Sequence, residues 1–200
     1  MEKILFVNAC PRPQSRTLEL ARHLLSRLEG EIEEVKIFED GPAALNWESL
    51  SLRDELIAAK NFEHPMLCHA RQFAAADTIV IAAPYWDLMF PAALRAYLES
   101  VTVTGLTFRY SSNGTPESLC RAKLLCYVTT AGGYIGQNDF GLSYVKALAH
   151  NFFGISDVRS FSAEGLDIYG ADVDEIMRLA KAAVSEPFEP SYNKEKTNNA

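Results

Sequence analysis

Two short apolar runs, Ile4-Leu5-Phe6-Val7 and Thr78-Ile79-Val80-Ile81-Ala82-Ala83, constrain this chain more than any other feature. Neither contains a charge, and both fall far short of the roughly 20 apolar residues that a membrane span requires. A run of this kind, without polar alternation, fits a strand buried on both faces, which is the habit of parallel sheets. Each run ends in a polar or proline-containing loop, and residues at helical spacing follow each loop.

After the first run, Leu18, Ala21, Leu25 and Leu28 mark a helix that Gly30 stops. A second strand is expected at Glu34 to Phe38, with Val35 and Ile37 on one face and Asp40-Gly41-Pro42 as the breaker. Residues 46–76 read as weakly organised helix ending before Asp77. Pro91 stands at the first turn of a helix whose buried stripe is Leu94, Leu98 and Val101. A strand from Lys123 to Thr130 closes on Gly132-Gly133. A helix over 140–153, a strand over 158–163 and a helix over 173–184 complete the pattern. Strands separated by helices need crossovers, so five strands in a mostly parallel, doubly wound three-layer α/β sandwich are expected.

With 200 residues, one domain over 1–185 is the expectation. Residues 186–200 carry prolines and polar side chains but little to bury, which fits a flexible tail or a segment docked on a partner chain. The formal charge is −7, with 19 basic against 26 acidic residues, which disfavours a phosphate-backbone partner; no nucleic acid is expected. Met1-Glu2-Lys3 leads straight into a strand and lacks the regions of a signal peptide. The four cysteines, Cys10, Cys68, Cys120 and Cys126, form no C-x-x-C pair. A reduced, cytoplasmic enzyme or carrier is the expected class. His23, His64, His69 and His150 are scattered without ligand spacing, so no metal site is expected.

Ligands of open parallel sheets bind beyond the carboxyl ends of the strands. That rule nominates the loops 8–17, 84–90 and 130–137. In the first, Ser15, Arg16 and Thr17 open a helix, where unpaired N–H groups and the dipole favour an anion. The same residues serve equally well as an ordinary cap. Neither G-x-G-x-x-G nor G-x-x-x-x-G-K-[ST] is present. Cys10, just upstream, is either a small packed residue or a thiol activated by the helix end.

The second loop, Pro84-Tyr85-Trp86-Asp87-Leu88-Met89-Phe90, puts aromatic and aliphatic groups where solvent-facing polar residues are usual. It fits the wall of a flat aromatic ligand, or a plug or subunit contact. The third, Thr129-Thr130-Ala131-Gly132-Gly133-Tyr134, pairs adjacent glycines, which let backbone approach a ligand, with an aromatic; a plain Gly-Gly turn reads the same way. A phosphate site beside a flat apolar site suits FMN.

The stretches Ala83-Pro84-Tyr85-Trp86-Asp87-Leu88 with Pro91 and Thr104-Gly105-Leu106-Thr107-Phe108-Arg109-Tyr110 resemble the FMN-dependent NADH-azoreductases. So do Thr129-Thr130-Ala131-Gly132-Gly133 and Phe161-Ser162-Ala163-Glu164-Gly165. These enzymes are flavodoxin-like NAD(P)H:quinone oxidoreductases, and the likeness runs from residue 3 to about 184. The resemblance implies a flavodoxin-like fold with sheet order 2-1-3-4-5 and a homodimer with FMN near the subunit interface. NADH or NADPH would be the donor, and a quinone or azo compound the acceptor. By the same resemblance FMN is held by Cys10, Ser15, Arg16, Thr17, Pro84, Tyr85, Trp86, Asp87, Leu88, Thr130, Ala131, Gly132 and Gly133. The substrate pocket falls on Trp86, Tyr110 and Phe152.

Three departures bear on this reading. Asp87 stands where the family has an amide; an ionised carboxylate there would disfavour an anionic reduced flavin, and a protonated one could donate a hydrogen bond. Ala131 stands where an arginine is common, which bears on nucleotide preference. The segment between the second and third strands is short. The redox chemistry belongs to the cofactor, so no protein nucleophile or other catalytic residue is expected, and no G-x-S-x-G pattern occurs. The alternative reading is a flavodoxin-type carrier that passes single electrons to protein partners.

Overall fold

In chain order the computed structural model, which describes residues 1–184, contains β1 (Lys3–Asn8), α1 (Arg16–Leu25), β2 (Glu31–Lys36), α2 (Ile37–Asp40) and α3 (Trp47–Ala58). A 3-10 turn (Pro65–Leu67), α4 (Cys68–Ala75), β3 (Thr78–Ala82) and α5 (Ala92–Val101) follow. Then come β4 (Phe108–Tyr110), β5 (Pro116–Ser118), β6 (Leu124–Thr130), α6 (Phe140–Asn151), β7 (Asp157–Ala163) and α7 (Val173–Val184). The segment 186–200 lies outside the described residues.

The main sheet has the order β2-β1-β3-β6-β7, and every pairing in it is parallel. This is the expected 2-1-3-4-5 order, since β4 and β5 form a separate antiparallel pair. The period-2 alternation of the central strands divides the core. Leu5, Val7, Ile79, Ile81, Leu125 and Tyr127 face Phe73, Leu94, Tyr97 and Val145 of α4, α5 and α6. Ile4, Phe6, Val80, Cys126 and Val128 face Leu20, Leu24 and Met177 of α1 and α7. Burial on both faces explains why β1, β3 and β6 are continuous apolar runs.

The second strand departs from expectation. It spans Glu31–Lys36 rather than 34–38, and Ile37 opens the short helix α2 instead of sharing a strand face with Val35. Glu31 to Glu34 are exposed on this edge strand and only Val35 is buried, so pairing with β1 rather than apolar content fixes its register. The weakly patterned stretch 46–76 resolves into α3, the 3-10 turn and α4. Asn46 caps α3 by accepting from the Ser49 N–H at 2.9 Å. The hydroxyl of Ser49 accepts from the Asn46 N–H in return.

Candidate functional site

The carboxyl ends of β1, β3 and β6 open into a cleft of about 420 Å³. The first wall is the loop from β1 into α1. Ala9 N–H continues the sheet pairing onto the Ala82 carbonyl at 2.8 Å. The chain then turns at Arg12, whose carbonyl accepts from Ser15 N–H at 3.1 Å. The Ser15 hydroxyl accepts from Leu18 N–H at 3.3 Å, so Ser15 is the cap of α1. The cap leaves the N–H groups of Arg16 and Thr17 without an acceptor among the described residues, and they open the helix at the cleft. Thr17 is buried, and its hydroxyl shares a 2.6 Å hydrogen bond with that of Thr130 at the end of β6.

The second wall follows β3. Tyr85 N–H donates to the Thr130 carbonyl at 3.0 Å, joining this loop to the end of β6. Trp86 and Met89 exchange two backbone hydrogen bonds of 2.8 Å each. Asp87 and Leu88 between them take φ values of 50° and 66°, a tight turn with both central residues in the left-handed region. Pro84, Tyr85 and Trp86 line the cleft, whereas Asp87 and Leu88 form its exposed tip.

The third wall is the loop after β6, fastened to the loop after β7. Ala131 N–H donates to the Ala163 carbonyl at 2.9 Å, and Leu166 N–H donates to the Ala131 carbonyl at 3.2 Å. Asp167 N–H donates to Gly132 and Gly165 N–H to Gly133, at 2.9 and 3.0 Å. The carbonyls of both glycines are thus taken, while their N–H groups meet no acceptor among the described residues. A Cβ on Gly132 would meet the Asp167 carboxylate, whose side chain would have to move aside. The Asp167 carboxylate forms a 3.0 Å ion pair with Arg16, which links the third wall to the first. Glu164 braces the far side, accepting from Ile135 N–H and from the Ser162 hydroxyl at 3.0 Å each.

The fold therefore gathers Ser15, Arg16, Thr17, Pro84, Tyr85, Trp86, Thr130, Ala131 and Gly132 of the expected cofactor residues around one cleft. Gly133, Asp87 and Leu88 flank it. Cys10 does not line it. Its thiol lies against the Ala82 carbonyl at 3.7 Å, and burial pushes its pKa up to about 11, so it is a packed thiol and not an activated one.

Tyr110 and Phe152 are also elsewhere. The crossover helices α5 and α6 leave the carboxyl edge of the sheet and return the chain to the amino ends of β6 and β7. Phe152 follows α6 there, and Phe108 packs edge-on against both Phe152 and Tyr110, at 4.8 and 5.4 Å between ring centres. The two aromatics share a cluster with each other and not with Trp86. Sequence reasoning missed Pro11, Arg12, Gln14, Leu166 and Asp167 in the cleft wall. The carboxyl-end rule, applied also to the loop after β7, points to the last two.

A family profile described as the flavodoxin-like fold matches residues 2–187. At 35% identity over 186 residues, the chain is similar to the FMN-dependent NADH:quinone oxidoreductase of Coprothermobacter proteolyticus, with 88% of this chain and 92% of the relative covered. The chain belongs to this flavodoxin-like family. A second relative, FMN-dependent NADH:quinone oxidoreductase 2 of Clostridium acetobutylicum, is 33% identical over 190 residues, covering 89% of this chain and 94% of the relative. Among solved structures, the azoreductase of Bacillus anthracis strain Sterne superposes with a TM-score of 0.78 at 22% identity, covering 92% of this chain and 97% of that one. The FMN-dependent NADH-azoreductase of Bacillus anthracis Ames Ancestor, solved in complex with FMN, gives 0.75 at 22% identity, with 92% and 96% covered. These structures establish the shared fold. No helix among the described residues is long and apolar enough to cross a membrane.

Proposed function

We propose that this chain is an FMN-dependent NAD(P)H oxidoreductase that passes two electrons from NADH or NADPH to quinones, azo compounds or similar small electrophilic acceptors. The observation that carries the reading is the donor set of the cleft. At one end Arg16 and Thr17 N–H groups, the start of α1 and the Arg16 guanidinium face a phosphate. At the other, Pro84, Tyr85, Trp86, Thr130 and Ala131 present a flat edge of apolar surface and backbone groups. Gly132 keeps its side of the cleft free of a Cβ, with an unpaired N–H beside it. These residues fit FMN, and Ser15 to Thr17, Pro84 to Trp86 and Thr130 to Gly133 would hold it.

FMN supplies the redox chemistry when bound, accepting a hydride and returning two electrons. The chain supplies binding and orientation. Arg16, paired with Asp167, and the first turn of α1 would anchor a phosphate. The Thr17–Thr130 bond holds that turn at a fixed distance from the ring-edge wall. Trp86, 41% exposed at the cleft mouth, offers an aromatic face for a nicotinamide or a quinone.

The chain works as a cytoplasmic homodimer with no nucleic-acid partner. Support for the dimer is the exposure of the apolar side chains Trp86, Leu88, Tyr134 and Phe140 on the loops about the cleft. Tyr110 and Phe152, remote from their own cleft, reach an acceptor only if a second copy brings them to it. Four free cysteines fit a reducing compartment. The domain is taken to cover 1–185.

The test is equilibrium binding of FMN and of riboflavin to the purified chain. FMN should bind well over tenfold tighter than riboflavin, because only FMN engages the charged end of the cleft. Equal affinities would contradict the phosphate assignment. Sedimentation of a monomer at micromolar concentration would contradict the dimer.

A further inference from the structure

A second cavity, of about 340 Å³, lies between the loop 42–46, α3, the 3-10 turn and the start of α4. It shares no residue with the cleft. Its walls are largely apolar, with Pro42, Leu45, Pro65 and Met66 among them, and its volume lies at the small end of the range for small-molecule sites. Arg53 of α3 faces this cavity.

The Arg53 Nε atom is buried and has no hydrogen-bond partner. Among the described residues Arg53 forms no ion pair, although the whole chain carries 26 acidic residues. Its helix neighbours Asp54 and Glu55 are exposed to solvent. A buried donor on a guanidinium is costly to leave unpaired, and the ordinary resolution is a carboxylate or another anion.

His69 borders the same space. Both ring nitrogens of His69 face acceptors, Nε2 at 3.0 Å from the Asp40 carbonyl and Nδ1 at 3.1 Å from Gln72 Oε1. The Gln72 amide nitrogen is committed to Glu33 at 2.7 Å, so the orientation of that amide is fixed.

We propose that this cavity binds a small apolar monocarboxylate, with its carboxylate on Arg53 and its hydrocarbon or aromatic body against Leu45, Pro65 and Met66. A single guanidinium in apolar walls matches one negative charge on an apolar body. A phosphate dianion would lack the donors needed to offset its desolvation. The site is separate from the cleft, so it does not depend on the FMN reading.

The experiment is calorimetric titration of the full chain with hexanoate and benzoate, with hexanol and benzyl alcohol as neutral controls. Saturable binding of one equivalent of an acid per chain is expected, and R53M should weaken it about tenfold or more. FMN affinity should be unchanged in R53M. A44F, which adds bulk to the cavity lining and leaves Arg53 in place, should abolish binding and keeps the test open if R53M misfolds. The proposal is overturned if neither acid saturates, if the alcohols bind as tightly as the acids, or if binding survives both variants. A crystal structure with an acidic side chain of a second copy seated on Arg53 would also overturn it.

Discussion

The hydroxyls of Thr17 and Thr130 meet at 2.6 Å in the buried floor of the cleft, joining the first turn of α1 to the end of β6. The bond connects the wall that offers helix-end donors to the wall that offers a flat edge. Replacing either threonine with valine leaves the other hydroxyl buried and unpaired, so T17V and T130V should each cost about 1–3 kcal/mol. The double variant should cost no more than either single one, because both partners are then apolar. Chemical denaturation of the four proteins measures this, and fully additive losses would show that the two hydroxyls are not coupled.

A Cβ at Gly132 would meet the Asp167 carboxylate, the end of an exposed side chain. G132A should displace Asp167 and release Arg16 from its ion pair, at a cost of about 0–1 kcal/mol. Adding D167A should recover most of that loss. Melting curves of G132A and of G132A/D167A decide the matter, since a double variant no better than the single one would place the clash elsewhere.

Asp87 and Leu88 both hold left-handed backbone angles, which cost a non-glycine residue roughly 1–2 kcal/mol. The Leu88 side chain is 48% exposed, so little packing is lost on its removal. L88G should therefore raise stability by about 0.5–1 kcal/mol. A fall in melting temperature would mean that the leucine side chain contributes more than its backbone strain costs.

Burial pushes the thiols of Cys10, Cys120 and Cys126 up to about 11, 12 and 12, from an ordinary 9.0. The folded chain thus holds these protons more tightly than the unfolded one. That contribution to stability is complete below pH 9.0 and is lost as pH rises through about 11 to 12. Disulfide-exchange reagents at pH 8 should label these three only after denaturation. Rapid labelling of Cys10 in the native protein would contradict its packed placement.

Much of this architecture was legible because β1, β3 and β6 are buried on both faces and so announce themselves as unbroken apolar runs. β2 did not. It buries only Val35 and takes its register from backbone pairing with β1, which leaves no apolar pattern to read. The Asp87-Leu88 turn was hidden for a related reason: it has neither the glycine nor the asparagine that signals a left-handed turn. The helix start alone points to Ser15, Arg16 and Thr17; Ser15 is the cap, and the N–H groups of Arg16 and Thr17 have no acceptor among the described residues. Asp167 is reachable only by extending the carboxyl-end rule to the loop after β7, since its role is an ion pair with Arg16 far away in sequence. Tyr110 and Phe152 were placed near Trp86 by resemblance, but chain connectivity puts them at the other edge of the sheet.

The most direct test of the central claim is an anaerobic titration of the FMN-loaded protein with NADH, followed by addition of a quinone. The account predicts a flavin absorbance that bleaches in one two-electron step and returns when the quinone is added. A long-lived semiquinone with sluggish bleaching would instead identify a single-electron carrier, and failure to take up FMN at all would contradict the assignment of the cleft.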